Sequence, residues 1–586
     1  MTPLLPQNDP GIEDRKNELA REQAKYSYNY SYLPPLAMAA EVPFDDNPTL
    51  DWFLLVARRA LDVLINTLEG DFGKQETQQH HGRLVELEEL IEHPNAASIE
   101  KTIRAIISSF EAHVTSGAPS SLEDYNKLFR FIALPAISQT FQEDAVFASM
   151  RVAGPNPLVI ERLSKLDDRF PVTDAQYQAV MGSQDSLAAA GQEGRLYLAD
   201  YAAFDGVLNG SFPSAQKYLA APLALFAVPQ SGAWRGLAPV AIQCAQRPGP
   251  HNPIITPNNS DVYNWLMAKS IVQTADGNFH EAVSHLGRTH LVTEPFVIAT
   301  ERQLASTHPV GILLRPHFEG TLFINNAAQE FLIASQGGVD ALLAATIDAD
   351  RVYAAKSVQG YVFNDAMLPT ALKLRGVDDP TQLPVYPYRD DALLIWNAIH
   401  KWASDYLAIY YRTDADVQAD LELQNWVAEL LSHDGGRMQG VGQDGRVQTR
   451  DYLADAVTLI IFTASAQHAA VNYPQSFIMS YAPAMPLAGY APAPSSARGA
   501  TLADYLSLLP SLDQAQKQLN VTYILGSVYY TRLGDYPTFT DGRVQAPLQA
   551  FQKALQQIEE MINQRNQERP PYEFLLPSKI PQSINI

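Results

Sequence analysis

With a single cysteine, Cys244, in 586 residues, the chain has no partner for an intramolecular disulfide and no basis for a cysteine-cluster metal site. Basic residues are also scarce: 42 Lys and Arg stand against 64 Asp and Glu, for a formal net charge of −22. A surface of that sign repels phosphate backbones and anionic headgroups, which excludes nucleic acid and limits membrane contact to a peripheral kind. No run of 18 apolar residues occurs, so no bilayer-spanning helix is predicted. The opening stretch, MTPLLPQNDPGIEDRKNELAREQAKYSYNY, has neither a basic n-region nor an apolar h-region. No export signal is predicted from it, and the expected location is the reducing cytoplasm. The Asn-X-Ser/Thr triplets at Asn209, Asn258 and Asn520 are then chance matches to the glycosylation pattern. No internal repeat is evident.

What the chain does have is apolar mass. Hydrophobic residues make up 46% and aromatics 10%, without a break in composition, which favours one large body over several small domains. Residues 1–45 are polar and dotted with proline and are expected to form an irregular arm. The stretch LDWFLLVARRALDVLINTL at 50–68 predicts a helix with Trp52, Phe53, Leu54 and Leu55 in a row, suited to packing and, as a second use, to touching a lipid surface. Helical patterning recurs at 83–93, 97–114, 121–131, 260–305, 325–346, 389–411, 416–432, 513–532 and 543–566. Short apolar runs among Gly and Pro at 195–260, such as LYLADY and APLALFAV, predict a few strands. Loops are expected at 433–446 and 481–496; the first contains GVGQDG, which fits the letters of a nucleotide-binding turn but lacks a preceding strand and a βαβ unit. The fold class is mostly α with small β subregions.

Histidine placement carries the chemistry. Five of the 13 histidines fall within His280–His317, and the centre of that cluster is FHEAVSHLGRTH, with His280, His285 and His290 at steps of five. Five residues of a regular α-helix turn through about 500°, which would point His285 and His290 some 140° apart. A π-type widening between them would bring both imidazoles to one side. Downstream, in SAQHAAVN, His468 and Asn472 are spaced to share one face of an ordinary helix. These patterns point to an imidazole-rich metal site and, from spacing alone, no further.

Four blocks in order carry a resemblance to a known family. They are the stretch from Trp265 to Asn326, containing FHEAVSHLGRTHLVTEPFVIATERQLASTHPVGILLRPHFEGTLFINN, then YPYRDDALLIWNAI at 386–399, FTASAQHAAVN at 462–472 and IPQSINI at 580–586. The chain resembles the lipoxygenases, strongly from about residue 195 onward and more weakly over 50–195. The resemblance implies a lipoxygenase-type helical catalytic domain at 46–586 whose first part, about 46–190, is a helical extension. The early sequence lacks the strand pattern of the lipid-binding β-sandwich (PLAT) domain found in many relatives, so the expectation is the short bacterial type without it.

Carried over residue by residue, the resemblance implies one non-haem iron, with manganese compatible with the same donors. Its ligands would be His285, His290, His468, the side-chain oxygen of Asn472 and the terminal carboxylate of Ile586, with His280 beside them in a supporting position. The implied substrates are O2 and a polyunsaturated fatty acid: linoleate, linolenate or arachidonate. The implied chemistry removes a bis-allylic hydrogen, adds O2 to the opposite face of the pentadienyl radical and yields a conjugated-diene hydroperoxide. Leu332 falls where the family places a leucine that presses the pentadiene toward the metal. Ala328, in INNAAQ, falls where alanine accompanies S products and glycine R products. The expectation is therefore an S hydroperoxide, 13S from linoleate. The alternatives are a family-fold hydroperoxide isomerase or an oxygenase of 9-type or arachidonate 12/15-type regiospecificity. FIMSYAP, where plant relatives keep a basic residue, offers no Arg, which leaves the substrate carboxylate without an assigned partner.

Overall fold

The computed structural model describes residues 3–68, 117–232 and 235–586. The helices expected at 83–93 and 97–114 lie outside these residues. Two long apolar helices run through the centre. Val262–Phe279 continues without a break through a π-helical segment, His280–Leu291, into Val292–Gln303. Most of its residues are buried, polar ones such as Gln273, Asp276 and His280 included, so it runs through the interior and its polar groups must find partners there. The second runs from Arg450 to Met479; it is long and apolar enough to cross a membrane, but 89% of its apolar window is buried inside the protein, which makes it a core helix. It too widens, into π turns at Thr463–Gln467 and Gln475–Met479, on either side of the short α segment His468–Asn472. The helix Pro387–Leu407 packs along it.

Beside these helices lies one antiparallel five-stranded meander: Glu161–Leu163, Leu196–Asp200, Leu223–Ala227, Ala238–Gln243 and Ile254–Ile255, each strand pairing with the next. Strand Leu223–Ala227 is buried on both faces, which its unbroken apolar run requires. A buried polar knot ties this region to the central helix. Arg151 pairs with Asp276 at 2.9 Å with both side chains fully buried, and Asp276 also accepts from Tyr201 at 2.8 Å and Asn156 at 2.9 Å. Asn156 in turn accepts from Ser284 at 2.9 Å, so the knot grips the helix on both sides of His280.

The expected helices at 50–68, 389–411, 416–432, 513–532 and 543–566 are present, as Leu50–Leu68, Pro387–Leu407, the pair Asp414–Gln418 and Leu421–Leu431, Leu512–Leu525 and Gln545–Arg565. Three expectations need correction. The arm at 1–45 is not irregular throughout: Ile12–Lys25 is a helix, held by Arg15, which forks onto both carboxylate oxygens of Glu422. The helix expected at 121–131 shrinks to Glu123–Asn126, because Asn66 caps the chain just after it by accepting from the amides of Arg130, Phe131 and Ile132. The helix expected at 325–346 is broken into Thr321–Ala327, a π turn at Ala328–Leu332 and Gly338–Leu342. Gln336 at φ 64° and the Gly337–Gly338 pair interrupt it, and the regular helix follows at Ile347–Gln359.

Gly526, at the end of Leu512–Leu525, lets that helix press on the widened end of the Arg450–Met479 helix: a Cβ there would lie 2.4 Å from the backbone nitrogen of Ser476. Gly526→Ala is expected to lower stability by about 1–3 kcal/mol through overpacking. Gly542→Ala, with open space around its Cβ, should stay within about 0.5 kcal/mol of the parent. Urea midpoints of the two variants check this; equal midpoints would show that the helices can slide apart without cost.

Candidate metal centre

Widening over His280–Leu291 does what the step of five demands. The Nε2 atoms of His285 and His290 lie 3.2 Å apart, and that of His468, arriving on the other central helix, lies 3.4 Å from His285 and 3.2 Å from His290. All three rings are buried. Donors about 2 Å from one centre take this spacing, so the triangle fits a transition-metal ion. Two rings have their outer nitrogens accounted for: Nδ1 of His290 meets the Asn325 oxygen at 2.9 Å, and Nδ1 of His285 faces Glu281 at 3.4 Å. A proton on each Nδ1 leaves the Nε2 lone pairs pointing inward at one another. Burial pushes His290 down to about 3, with His285 adding to it, and drives His285 below and His468 well below the usual imidazole range. Neutral rings with converging lone pairs are what an imidazole-ligated metal needs.

Behind the triangle stands a relay that the sequence reading missed. Asn325 donates to the carbonyl of His290 and to Glu294, and Glu294 accepts from the amide of Ala39 at 2.6 Å. Burial pushes Glu294 up to about 7. Glu281, four residues before His285, and Glu294, four after His290, could have been found by helical spacing; Asn325 could not. Burial alone would raise Glu281, but His280 and His285 beside it hold its carboxyl well below the usual carboxylate range. His280 itself is turned away from the triangle: its Nε2 lies 2.6 Å from the carbonyl of Val471, which ties the two central helices together. His308 and His317 are elsewhere, on Asp420 and on Tyr536 with the Gln582 carbonyl respectively.

Asn472 is buried on the turn after His468, with its Oδ1 accepting from Gln475 at 2.9 Å and its Nδ2 donating to Leu525. One lone pair of that oxygen remains for a metal. Ile586 is buried and within hydrogen-bond reach of His468 through its backbone. The residues before it are stitched down one by one. His317 holds the carbonyl of Gln582, Ser583 donates to Glu319, Thr321 to the carbonyl of Ile584, and Trp52 to that of Asn585 at 2.6 Å. Of the apolar row at 52–55, Trp52 and Phe53 therefore pack inward and are buried, while Leu54 and Leu55 are half-buried.

An apolar cavity of about 90 Å³ reaches this centre, walled by His285, His290, Ile586, Ala328, Leu332 and Leu343 among others. Ala328 and Leu332 share the π turn, so both sequence-expected positions face the cavity. Pockets that enclose a whole small molecule measure roughly 300–1,000 Å³, so an acyl chain enters only as wall side chains turn aside. Asp350 is on the wall with both oxygens unpartnered, and burial pushes it up to about 8, which keeps it protonated near neutrality. Arg351 is the only Lys or Arg among the described residues of the wall; it is 30% exposed and donates to the carbonyl of Ile333 at 2.8 Å.

A family profile described as Lipoxygenase matches residues 37–581. The chain is 40% identical to a linoleate 9/13-lipoxygenase of Pseudomonas aeruginosa over all of its own length and 93% of that protein. It is 33% identical to a human hydroperoxide isomerase, over 80% of the chain and 66% of the relative. Among solved structures it superposes on a coral 8R-lipoxygenase with a TM-score of 0.86 at 32% identity, covering 100% of this chain and 83% of that one. The described residues superpose without forming any β-sandwich.

Asn325→Leu removes the acceptor that fixes the His290 ring while preserving volume. Metal affinity, measured by chelator competition with metal content read by mass spectrometry, should fall about 10–100-fold. An unchanged affinity would mean that the ring is oriented by packing alone.

Proposed function

The chain belongs to the lipoxygenase family of fatty-acid dioxygenases, and from that premise we propose that it oxygenates linoleate to the 13S hydroperoxide using one iron held by His285, His290, His468, Asn472 and the Ile586 carboxylate. The observation that carries this reading is the triangle of Nε2 atoms opening onto an apolar cavity. When bound, iron supplies the one-electron acceptor for removal of the bis-allylic hydrogen; manganese suits the same donors.

The chain's own residues do the rest. Apolar walls strip water from the acyl chain and hold its pentadiene in one pose, which is where positional control over a flexible substrate comes from. Leu332 presses the pentadiene toward the histidines. The Ala328 methyl takes up space at one end of the pentadiene, so O2 reaches the more distal carbon. Arg351, at the partly exposed rim, pairs with the substrate carboxylate, so the methyl end leads inward. Linolenate and arachidonate present the same pentadiene, and the cytoplasm, where free acids meet an acidic soluble surface, is the proposed setting.

On linoleate in air, the chain ending at Ile586 should raise absorbance at 234 nm, while the same chain with residues appended after Ile586 should not. If both are silent with metal bound, and linoleate hydroperoxide is consumed instead, the isomerase reading replaces this one. Ala328→Gly should move the major product toward the R hydroperoxide at carbon 9; chiral chromatography showing unchanged product would remove Ala328 from the argument. Arg351→Met should raise KM about 10-fold for linoleate and leave it unaltered for methyl linoleate, as loss of one charge-assisted hydrogen bond implies. Equal effects on both esters and acids would place the carboxylate elsewhere.

A further inference from the structure

A second cavity is larger than the one that reaches the histidines. It measures about 640 Å³ and shares no lining residue with the cavity at the metal centre. Its walls are largely apolar, with Leu158, Leu223, Phe279, Leu459 and Phe462 among them. Glu161, Asp167 and Asp365 line it as well, all exposed to solvent.

Two donors on the wall, the exposed guanidinium of Arg288 and the buried amide of Gln467, are open to an acceptor. Arg288 makes no hydrogen bond or ion pair with any described residue; its electrostatic neighbours are Tyr361, which favours its charge, and Arg375, which opposes it. Arg375 is itself occupied, by the carbonyls of Leu158 and Ile160 and the hydroxyl of Tyr386. Gln467 accepts from the Tyr388 hydroxyl through its Oε1, which fixes the amide and leaves its buried Nε2 unpartnered. Arg288 is exposed, so its N–H groups are open to a ligand, whereas the buried Gln467 Nε2 without a partner carries a desolvation cost that an acceptor would relieve. A planar fork of five N–H groups and an amide N–H lining the same cavity match a carboxylate, and the apolar remainder matches an alkyl chain. The volume is that of a pocket for a whole small molecule.

We propose that this cavity is a second binding site, separate from the metal centre, for one long-chain carboxylate whose head is held by Arg288 and Gln467. The site abuts the centre from outside. Arg288 lies between His285 and His290 on the widened segment, and Gln467 immediately precedes His468. An occupant therefore touches both π-helical segments that set the histidine triangle. The inference stands apart from the proposed reaction, since it concerns binding alone.

The test uses stearate, which has no double bond to oxidise, titrated calorimetrically into the full chain. Two sites are expected on the parent. Leu343→Trp, which fills the cavity at the histidines, should retain one; Arg288→Met in that background should weaken the remaining site about 10–100-fold, the loss of a charge-assisted fork. Arg288→Lys, keeping charge without the fork, should fall between. A stearate carrying a diazirine at its far end should label the peptides around Leu158 or Leu459 in Leu343→Trp. The 13-hydroperoxide of linoleate run beside stearate separates the two sources of such a carboxylate: a preference for either upholds the site and names its ligand. One site on the parent, two sites undisturbed by Arg288→Met, or octanoate binding as tightly as stearate would each overturn the proposal. Diene formation, followed separately at 234 nm, reports on the reaction whatever the titration shows.

Discussion

Three imidazole nitrogens facing one another across little more than 3 Å, without a proton to share, are the constraint around which the rest of the molecule is arranged. Lone pairs so close repel unless a cation lies between them, and burial prevents relief by protonation. A regular helix could not put two such rings on one side at a spacing of five. The chain accepts the poorer hydrogen-bond geometry of a π-helix over His280–Leu291 and holds it from outside. The Arg151–Asp276–Asn156 knot grips the helix just before it, and His280 ties its first turn to the other central helix. Pro295, which has no N–H to offer the carbonyl of Leu291, coincides with its exit.

The surroundings of the triangle are graded in charge. The Asn325–Glu294 relay places acceptors behind the rings, whereas the cavity side is mostly apolar, with Glu281 turned to His285, a protonated Asp350 adding no charge and Arg351 kept to the rim. An acyl chain runs mainly along apolar side chains, past Glu281, Asp350 and Thr522, until its head reaches the edge. The same division explains why a cavity of 90 Å³ suffices as a resting state: its walls are mainly leucine, isoleucine and valine side chains whose rotamers can yield, while the His290 ring among them is pinned.

Much of the centre was legible because it is local. His285 and His290 sit in one motif, His468 and Asn472 in another, and the step of five already required a widened turn. The family resemblance then joined blocks that spacing could not. What stayed hidden depends on partners distant in sequence. Asn325 is an unremarkable polar residue until it meets His290, 35 residues earlier. The polar segment Ile12–Lys25 has too little apolar surface to announce a helix, and Arg15 finds Glu422 across 407 residues. Arg351, which lines the cavity, stands on a different helix from the stretch after Asn472 where relatives keep a basic residue, so the resemblance does not point to it. The breaks at Gln336–Gly338 were visible as turn chemistry but were outweighed by the apolar pattern on both sides of them.

The hydrogen bond from Trp52 to the carbonyl of Asn585 closes a loop of 533 residues. Loop-closure entropy grows only logarithmically with length, so the closure itself is affordable. Its consequence concerns divisibility. The group that would complete the donor set reaches the triangle only when a helix near one end of the sequence clasps the strand of residues at the other, with both central helices already in register between them. No shorter fragment contains all of these parts, and a nick that frees either end would be felt at the histidines. Nearly the whole polypeptide is the smallest unit that can carry this centre, which makes its assembly an all-or-none property of the fold.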